Sequence, residues 1–349
     1  MKKFLLKIML FLVIYLIIGK VISVSVPYHW GNPWYSTKIQ YLEKERKTNF
    51  PNTFFFGSSG VYRQINPLVF DSIYNGLTSE KIVSYNLGST ATFCPQTYFL
   101  YEHFLKSELS KHAKYTFLEL TDVDLINPAI IREERTTYWQ NLRDMRFALI
   151  SVYKNKSIGP FIKLRCTLHY MTAYLIKIFH LGHYSQELFV KNYYNENYVG
   201  PNKDGFFPLE YELLITKDQG VKDHLYEKNM ALKEDSSITG KRAKESIEIF
   251  NKVTKDVDAI HLKRIFKLIE LSKKKGITMI FILGNKKSSQ ALINLYHLIP
   301  EKNKIQLSNA HDYPELYSFE YAFDKWHLNT KGAYFYSSYL AKEFYKISK

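Results

Sequence analysis

The sequence predicts an α/β protein: a mainly parallel sheet flanked by helices, carrying a large, mostly helical insertion and preceded by an N-terminal transmembrane helix. Three observations lead there. Short apolar runs alternate with helical stretches over about 51–127 and again over 256–349, and strands joined by helical crossovers build parallel sheets with helices on both faces. Between them, over 128–255, the alternation breaks into a segment rich in Tyr, Lys and Glu. At the start of the chain, residues 1–26 place basic side chains ahead of a long apolar run.

Lys2, Lys3 and Lys7 precede the run Ile8–Ile18, and Gly19, Lys20 and the stretch Val21–Val26 follow. The uninterrupted run is short for a ~30 Å hydrocarbon core. Phe4–Val26 suffices when Lys7 and Lys20 extend toward the headgroups. Basic residues in front predict a cytoplasmic N-terminus and an exported body, in a single pass. A cleaved signal peptide with Ser23-Val24-Ser25 as its small-x-small site is the alternative, and a retained anchor is preferred to it. Residues 27–50, polar and aromatic with Pro27 and Pro33, read as a linker.

Thr53–Phe56 is then a short buried strand. Asn66-Pro67 opens a helix to about Tyr74, with Asn as the N-cap and Pro in the first turn. Ile82–Asn86 is a second strand ending at Leu87-Gly88, Gln96–Leu109 a helix and Tyr115–Leu120 a third strand. The insertion or subdomain 128–255 has no internal period. The framework resumes with a helix over Ile260–Lys275 closed by Gly276, the apolar strand Ile277–Leu283 and a helix near Ser288–Leu298. A weaker strand at Lys304–Leu307 and a last helix over Thr330–Tyr345 complete the pattern.

A chain of 349 residues, 46% apolar and 16% aromatic, buries a substantial core and is not disordered. Its net charge of +15 is spread out, with no arginine-rich arm or nucleic-acid motif, so nucleic acid is not an expected partner. A basic surface suits phosphate-rich or uronic polymers and anionic lipid equally. The excess of Lys over Arg, with frequent Asn, Ile and Tyr, fits a bias in genome composition. Cys94 and Cys166 allow at most one internal disulfide, and the sequence leaves their pairing open. There is no C-x-x-C, H-E-x-x-H or P-loop, so neither a metal nor a nucleotide cofactor is expected.

The chemistry-bearing residues lie at opposite ends of the chain. Ser59 follows the first strand between Gly57 and Gly60, where open α/β sheets bind ligands beyond their carboxyl edge. A Gly/Ser turn with only a backbone role is the competing reading. Asp324 stands three residues before His327, a spacing that lets the carboxylate fold back and fix the imidazole tautomer. It lies in a loop after the last strand, so it returns to the same sheet edge as Ser59. The similar pair Asp258 and His261 opens an amphipathic helix, and there Asp258 reads as a helix cap.

Gly57-Ser58-Ser59 resembles the first block of the SGNH (GDSL-like) hydrolases, with Ser58 in place of the usual Asp and Ser59 at the nucleophile position. Gly88 is similar to the second block, and Asp324-x-x-His327, continued by Leu328-Asn329 and Gly332, to the last. The resemblance covers about 50–125 and 255–349 and leaves out the middle. It implies a three-layer, flavodoxin-like sheet, a Ser59–His327–Asp324 triad, and an oxyanion hole using the Ser59 and Gly88 N–H groups. The third block departs: Val123 of Leu120-Thr121-Asp122-Val123 stands where an Asn donor is expected, and an apolar side chain donates nothing. Either Thr121 or a group from the insertion substitutes, or this branch works differently.

The anchor, the Gly-Ser-Ser start and the D-x-x-H-L end resemble exported, membrane-anchored members that O-acetylate polysaccharides, including alginate-type proteins. These work beside a membrane-bound O-acyltransferase. The resemblance implies a serine acyl-esterase or O-acyltransferase acting on a cell-envelope polysaccharide. A catalytically inactive scaffold binding polysaccharide or the acyltransferase is one alternative; a secreted esterase or lipase for small esters is another. Within the insertion, Phe161–His180 reads as an ordinary amphipathic helix covering the core, in preference to an interfacial helix on anionic lipid. Tyr193, Tyr194, Tyr198 and Tyr211 are candidates for stacking on sugar rings.

Overall fold

Three consecutive phenylalanines explain how the sheet acquires two faces. In a strand successive side chains point to opposite sides. Phe55 therefore faces Phe70 and Phe117, with ring centroids 5.0 and 4.9 Å away. Phe54 and Phe56 face Phe104 on the other side, at 5.0 and 4.9 Å. The computed structural model describes residues 1–44, 48–156, 158–179, 194–252 and 257–349.

Among the described residues the strands are β1 Thr53–Phe56, β2 Ser84–Asn86, β3 Tyr115–Glu119, β4 Thr278–Leu283 and β5 Lys304–Gln306. They form one sheet in the order β2-β1-β3-β4-β5, every pairing parallel. Helices cover both faces, which is why β1, β3 and β4 are almost wholly buried and largely apolar. On one face the helices Pro67–Leu77 and Thr330–Ser348 bring Phe70, Tyr74 and Phe344 onto Tyr115 and Phe117. On the other lie the helices Gln96–Phe104 and Ala259–Lys274. There the Tyr101 hydroxyl bonds both Thr116 and Ser272 at 2.7 Å, so the aromatic layer buries no unpaired phenol at that point. Asp258 caps the Ala259–Lys274 helix, accepting the N–H groups of Ile260 and His261. His261 is buried against the Tyr98 hydroxyl at 2.6 Å, and burial pulls its pKa down to about 4.

The chain forms two compact units: Met1–Ser36 with Asp124–Tyr194, and Thr37–Val123 with Asn195–Lys349. The boundaries differ from the expected insertion 128–255, because its second part packs with the sheet. The Phe207 N–H donates to the Tyr62 carbonyl, the Asn86 N–H donates to the Asp204 carbonyl, and Arg63 donates to the Phe207 carbonyl and to Glu212. The expected linker 27–50 is also partly helical, over Pro33–Lys44. Cys94 and Cys166 are both buried, and no disulfide joins them. Tyr193 and His180 lie outside the described residues.

The first unit holds the helix Lys2–Ser25, long and apolar enough to cross a membrane. It also holds the helices Glu134–Thr137, Leu142–Lys154 and Pro160–Phe179. The last of these departs from the expected pattern. It turns Cys166, Tyr170 and Ala173 inward and leaves Phe161, Leu164, Leu168, Met171, Leu175 and Phe179 exposed. Its apolar stripe does not cover the core.

Phe344, on the C-terminal helix, touches rings of the helix Pro67–Leu77 and of β3, so Phe344→Ala is expected to destabilise the sheet unit by about 3–5 kcal/mol. Urea unfolding of the full chain reads this as a lowered midpoint. A change no larger than the ~0.5 kcal/mol of an ordinary surface substitution would contradict the packing.

Candidate active site

β1 is followed by the buried Gly57, and the chain turns at once into the one-turn-and-a-half helix Ser59–Gln64. Ser58 caps that helix: its hydroxyl accepts the Gly60 N–H at 3.1 Å. The turn is tight because β3 sends Glu119 underneath it. The Glu119 carboxylate accepts the Ser58 N–H at 2.6 Å. A Cβ on Gly57 would stand 2.7 Å from the Glu119 side chain, and one on Gly60 only 2.6 Å from its carboxylate and 2.9 Å from Lys286 Cε. Close approach to these side chains is the reason for both glycines. Ser58 is fully buried, whereas Ser59 is part-exposed and can be reached from outside.

The other half of the site comes from the loop before the C-terminal helix. Asp324 folds back as a local cap, accepting the N–H groups of Trp326 at 2.6 Å and His327 at 2.8 Å. The same carboxylate accepts His327 Nδ1–H at 2.9 Å. That bond leaves Nε2 as an acceptor, and the Ser59 hydroxyl donates to it at 2.9 Å. Leu328, buried, and Asn329, whose side chain accepts the Gly332 N–H at 2.9 Å, anchor the loop to the helix Thr330–Ser348. Ser59, His327 and Asp324 therefore meet, and the geometry is that of a nucleophile, base and orienting acid.

Electrostatics favour the working charge states. Burial holds the His327 pKa below its usual range; Asp324 opposes this, while Lys286 and Arg63 add to it. Burial alone would raise the Asp324 carboxyl, yet its bonds to His327 and the backbone N–H groups outweigh that and hold it below the usual range. A neutral imidazole beside an ionised acid is the resting state that proton abstraction requires.

The chain matches no family model, no curated protein and no solved structure. Its site chemistry must therefore be read from its own side chains.

The other expected site residues are placed differently. The Gly88 N–H donates to Asn86 Oδ1 at 2.9 Å, and the Gly88 carbonyl accepts Lys38 Nζ at 2.6 Å. Asn86 is held in turn by donating to the Val61 and Ile65 carbonyls. The Gly88 N–H is thus engaged by a neighbouring amide rather than pointing to an open hole. Thr121 Oγ1 accepts the Cys94 N–H at 3.0 Å, beside the Cys94–Val123 bridge that extends past β3. No hydrogen bond joins Thr121 to Ser59 or His327 among the described residues.

Sequence reading missed three groups. Lys286, three residues past β4, donates to Ser59 Oγ at 3.1 Å and Ser58 Oγ at 2.9 Å. Burial lowers its pKa, with Glu119 and Asp324 opposing and Arg242 reinforcing the shift. Glu119 is the second. Arg242, from the helix Ser237–Asn251, is the third: it donates to the carbonyls of Lys325 and Asn285 at 2.7 Å each, tying the His327 loop to the Lys286 loop. The one available signal was Gly284-Asn285-Lys286, small and polar residues immediately beyond a buried strand. A cavity of about 60 Å³ lined by Arg242, Asn285, Lys286 and Tyr317 lies alongside, but Ser59 and His327 do not line it.

Gly60→Ala is expected to push apart Glu119 and Lys286, costing about 1–3 kcal/mol of stability through overpacking. Thermal unfolding of the variant checks this. An unchanged midpoint would show that the corner has room to spare.

Proposed function

We propose that this chain is a serine acyl-esterase or O-acyltransferase of SGNH-like type, tethered by Lys2–Ser25 with its body outside the cytoplasmic membrane and acting on ester groups of a cell-envelope polysaccharide. The observation that carries the reading is the 2.9 Å contact of Ser59 Oγ with His327 Nε2, backed by Asp324. In the first half-reaction Ser59 Oγ attacks the ester carbonyl while His327 takes its proton. Asp324 stabilises the imidazolium, which then protonates the departing alcohol. An acyl-Ser59 ester remains. Water or a sugar hydroxyl, deprotonated by the same imidazole, attacks that ester and releases Ser59.

The developing oxyanion needs donors. Ser59 N–H is one, opening a short helix, and no acceptor takes it among the described residues. Lys286 is the second: its ammonium already lies against Ser59 Oγ, where a tetrahedral intermediate would form. It supplies the positive partner that Val123 does not. Anchoring at the membrane, the basic surface and the resemblance to polysaccharide O-acetylation proteins all favour a polymer acceptor, with a membrane-bound O-acyltransferase as the expected partner. The engaged Gly88 N–H favours a second reading, a non-catalytic scaffold. A fluorophosphonate probe separates the two, since only an activated Ser59 is labelled.

Ser59→Ala is expected to abolish both that labelling and hydrolysis of p-nitrophenyl acetate while the circular dichroism spectrum is unchanged. Retained turnover would exclude Ser59 as the nucleophile. Lys286→Met is expected to lower kcat/KM by about 10²–10³-fold, the loss typical of one oxyanion donor. The pH profile gives an independent reading. His327 must be neutral, and its lowered pKa places the acid limb below pH 6.5. Lys286 must be charged, so activity falls again through an alkaline limb below pH 10.5, which Lys286→Met removes. An alkaline limb that survives in Lys286→Met would refute this role.

A further inference from the structure

The helix Pro160–Phe179 has two apolar faces. Cys166, Tyr170 and Ala173 form the inner one, and Tyr170 Oη donates to the Asp124 carbonyl at 2.7 Å, which fixes how the helix is rotated. The outer face runs through Phe161, Leu164, Leu168, Met171, Leu175 and Phe179, with Phe161 75% and Leu168 56% exposed. These positions repeat every three or four residues, so they form one continuous stripe along the whole helix. An apolar stripe facing water over that length is not what an ordinary soluble helix presents.

The neighbouring helix indicates what covers it. The Phe179 ring stacks on Tyr15 of the helix Lys2–Ser25, with centroids 6.1 Å apart and planes 17° from parallel. Tyr15 Oη donates to the Phe179 carbonyl, giving the phenol a partner that does not require water. Tyr15 lies five residues before Lys20, about 8 Å along the axis at the helical rise. With Lys20 at the headgroups, Tyr15 and Phe179 stand at acyl-chain depth on the Ser25 side of the bilayer. The charges fit that placement. Lys163 turns back to donate to the Tyr153 carbonyl and Lys177 to the Gln140 carbonyl, so neither ammonium interrupts the stripe. Arg165, exposed near the start of the helix, is long enough to reach headgroup phosphates.

We infer that Pro160–Phe179 is a monotopic membrane helix, lying in the leaflet on the Ser25 side with its outer stripe packed on phospholipid acyl chains. The inference rests on reading Lys2–Ser25 as membrane-crossing, and adds to it a second, in-plane contact made by the same compact unit. A partner protein's transmembrane segment is the rival occupant, and a system containing only lipid excludes it.

The test uses the full chain reconstituted into phosphatidylcholine/phosphatidylglycerol vesicles containing a phospholipid with a diazirine on its acyl chain. After irradiation, adducts are mapped by mass spectrometry. Adducts are expected on Lys2–Ser25 and on Leu164, Leu168, Met171 and Leu175, with Cys166, Tyr170 and Ala173 unlabelled. A Leu168→Glu/Met171→Glu variant should lose at least tenfold of the labelling over 161–179 and keep that of the N-terminal helix. Adducts confined to Lys2–Ser25 would overturn the in-plane helix alone. Absence of adducts on Lys2–Ser25 as well would overturn the membrane-crossing reading with it.

Discussion

The hydrogen bond between Ser59 and His327 spans 268 positions of sequence, and nothing local to either residue creates it. It depends on the C-terminal helix lying against the first turn of the chain after β1. Ser337 makes that docking specific: its hydroxyl accepts the Asn66 N–H at 2.8 Å while donating to the Ala333 carbonyl at 2.8 Å, with the Gln64 carbonyl a longer second acceptor at 3.3 Å. Gln64 then donates to the Trp326 carbonyl, one residue from His327. Two ends of the polypeptide are thereby registered to within a hydrogen-bond length. The aromatic packing of Phe344 on Phe70, Tyr74 and Phe117 supplies the broader, less directional part of the same contact.

Around that bond the site collects charges that would be costly if left unpaired. Lys286 and Glu119 flank the Ser58–Gly60 corner, one bonding hydroxyls and the other a backbone N–H. Arg63 pairs with Glu212 at 2.6 Å and lies against the rings of Tyr62 and Phe207, which stack on each other with centroids 5.3 Å apart. A low-dielectric corner of this kind strengthens each interaction that survives in it, and also penalises any that is lost. This explains why the helices after Asn195 belong with the sheet: Glu212 and Arg242 neutralise or orient groups that the sheet alone leaves incomplete. Glu210, accepting the Thr330 N–H at 2.6 Å, and Asn229, donating to the Phe323 carbonyl at 2.7 Å, brace the His327 loop from the same side.

Polar groups organise the sheet unit, whereas apolar exposure organises the other. The helix Lys2–Ser25 leaves nearly every side chain outward, and Pro160–Phe179 leaves a stripe outward beside it. On the membrane reading proposed above, such a surface meets hydrocarbon, where backbone groups must pair internally and side-chain packing replaces the hydrophobic effect.

Much was legible in the residues. Alternating apolar runs and helical stretches define the parallel sheet. Asn66 and Asp258 are helix caps readable from residue type and position. The Asp324–His327 spacing encodes a carboxylate folded onto an imidazole, because three residues suffice to close that turn. These features are local, so their information is local too. What lay beyond the sequence is whatever depends on which distant segments touch. Lys286 has no motif; it matters only because β4 is neighbour to β3 and β3 to β1, bringing three carboxyl ends to one edge. The resemblance gives the Gly88 N–H an oxyanion role, but its direction is set by an Asn86 amide pinned to the helix after Ser59. The stripe on Pro160–Phe179 has the period of any amphipathic helix, and periodicity does not reveal which face turns inward. Sequence by itself determined the elements, most of their caps and the acid–imidazole pair; tertiary contact alone decided the alcohol's partner, the cation beside it and which face of Pro160–Phe179 turns outward, since each requires groups far apart along the chain to share one place.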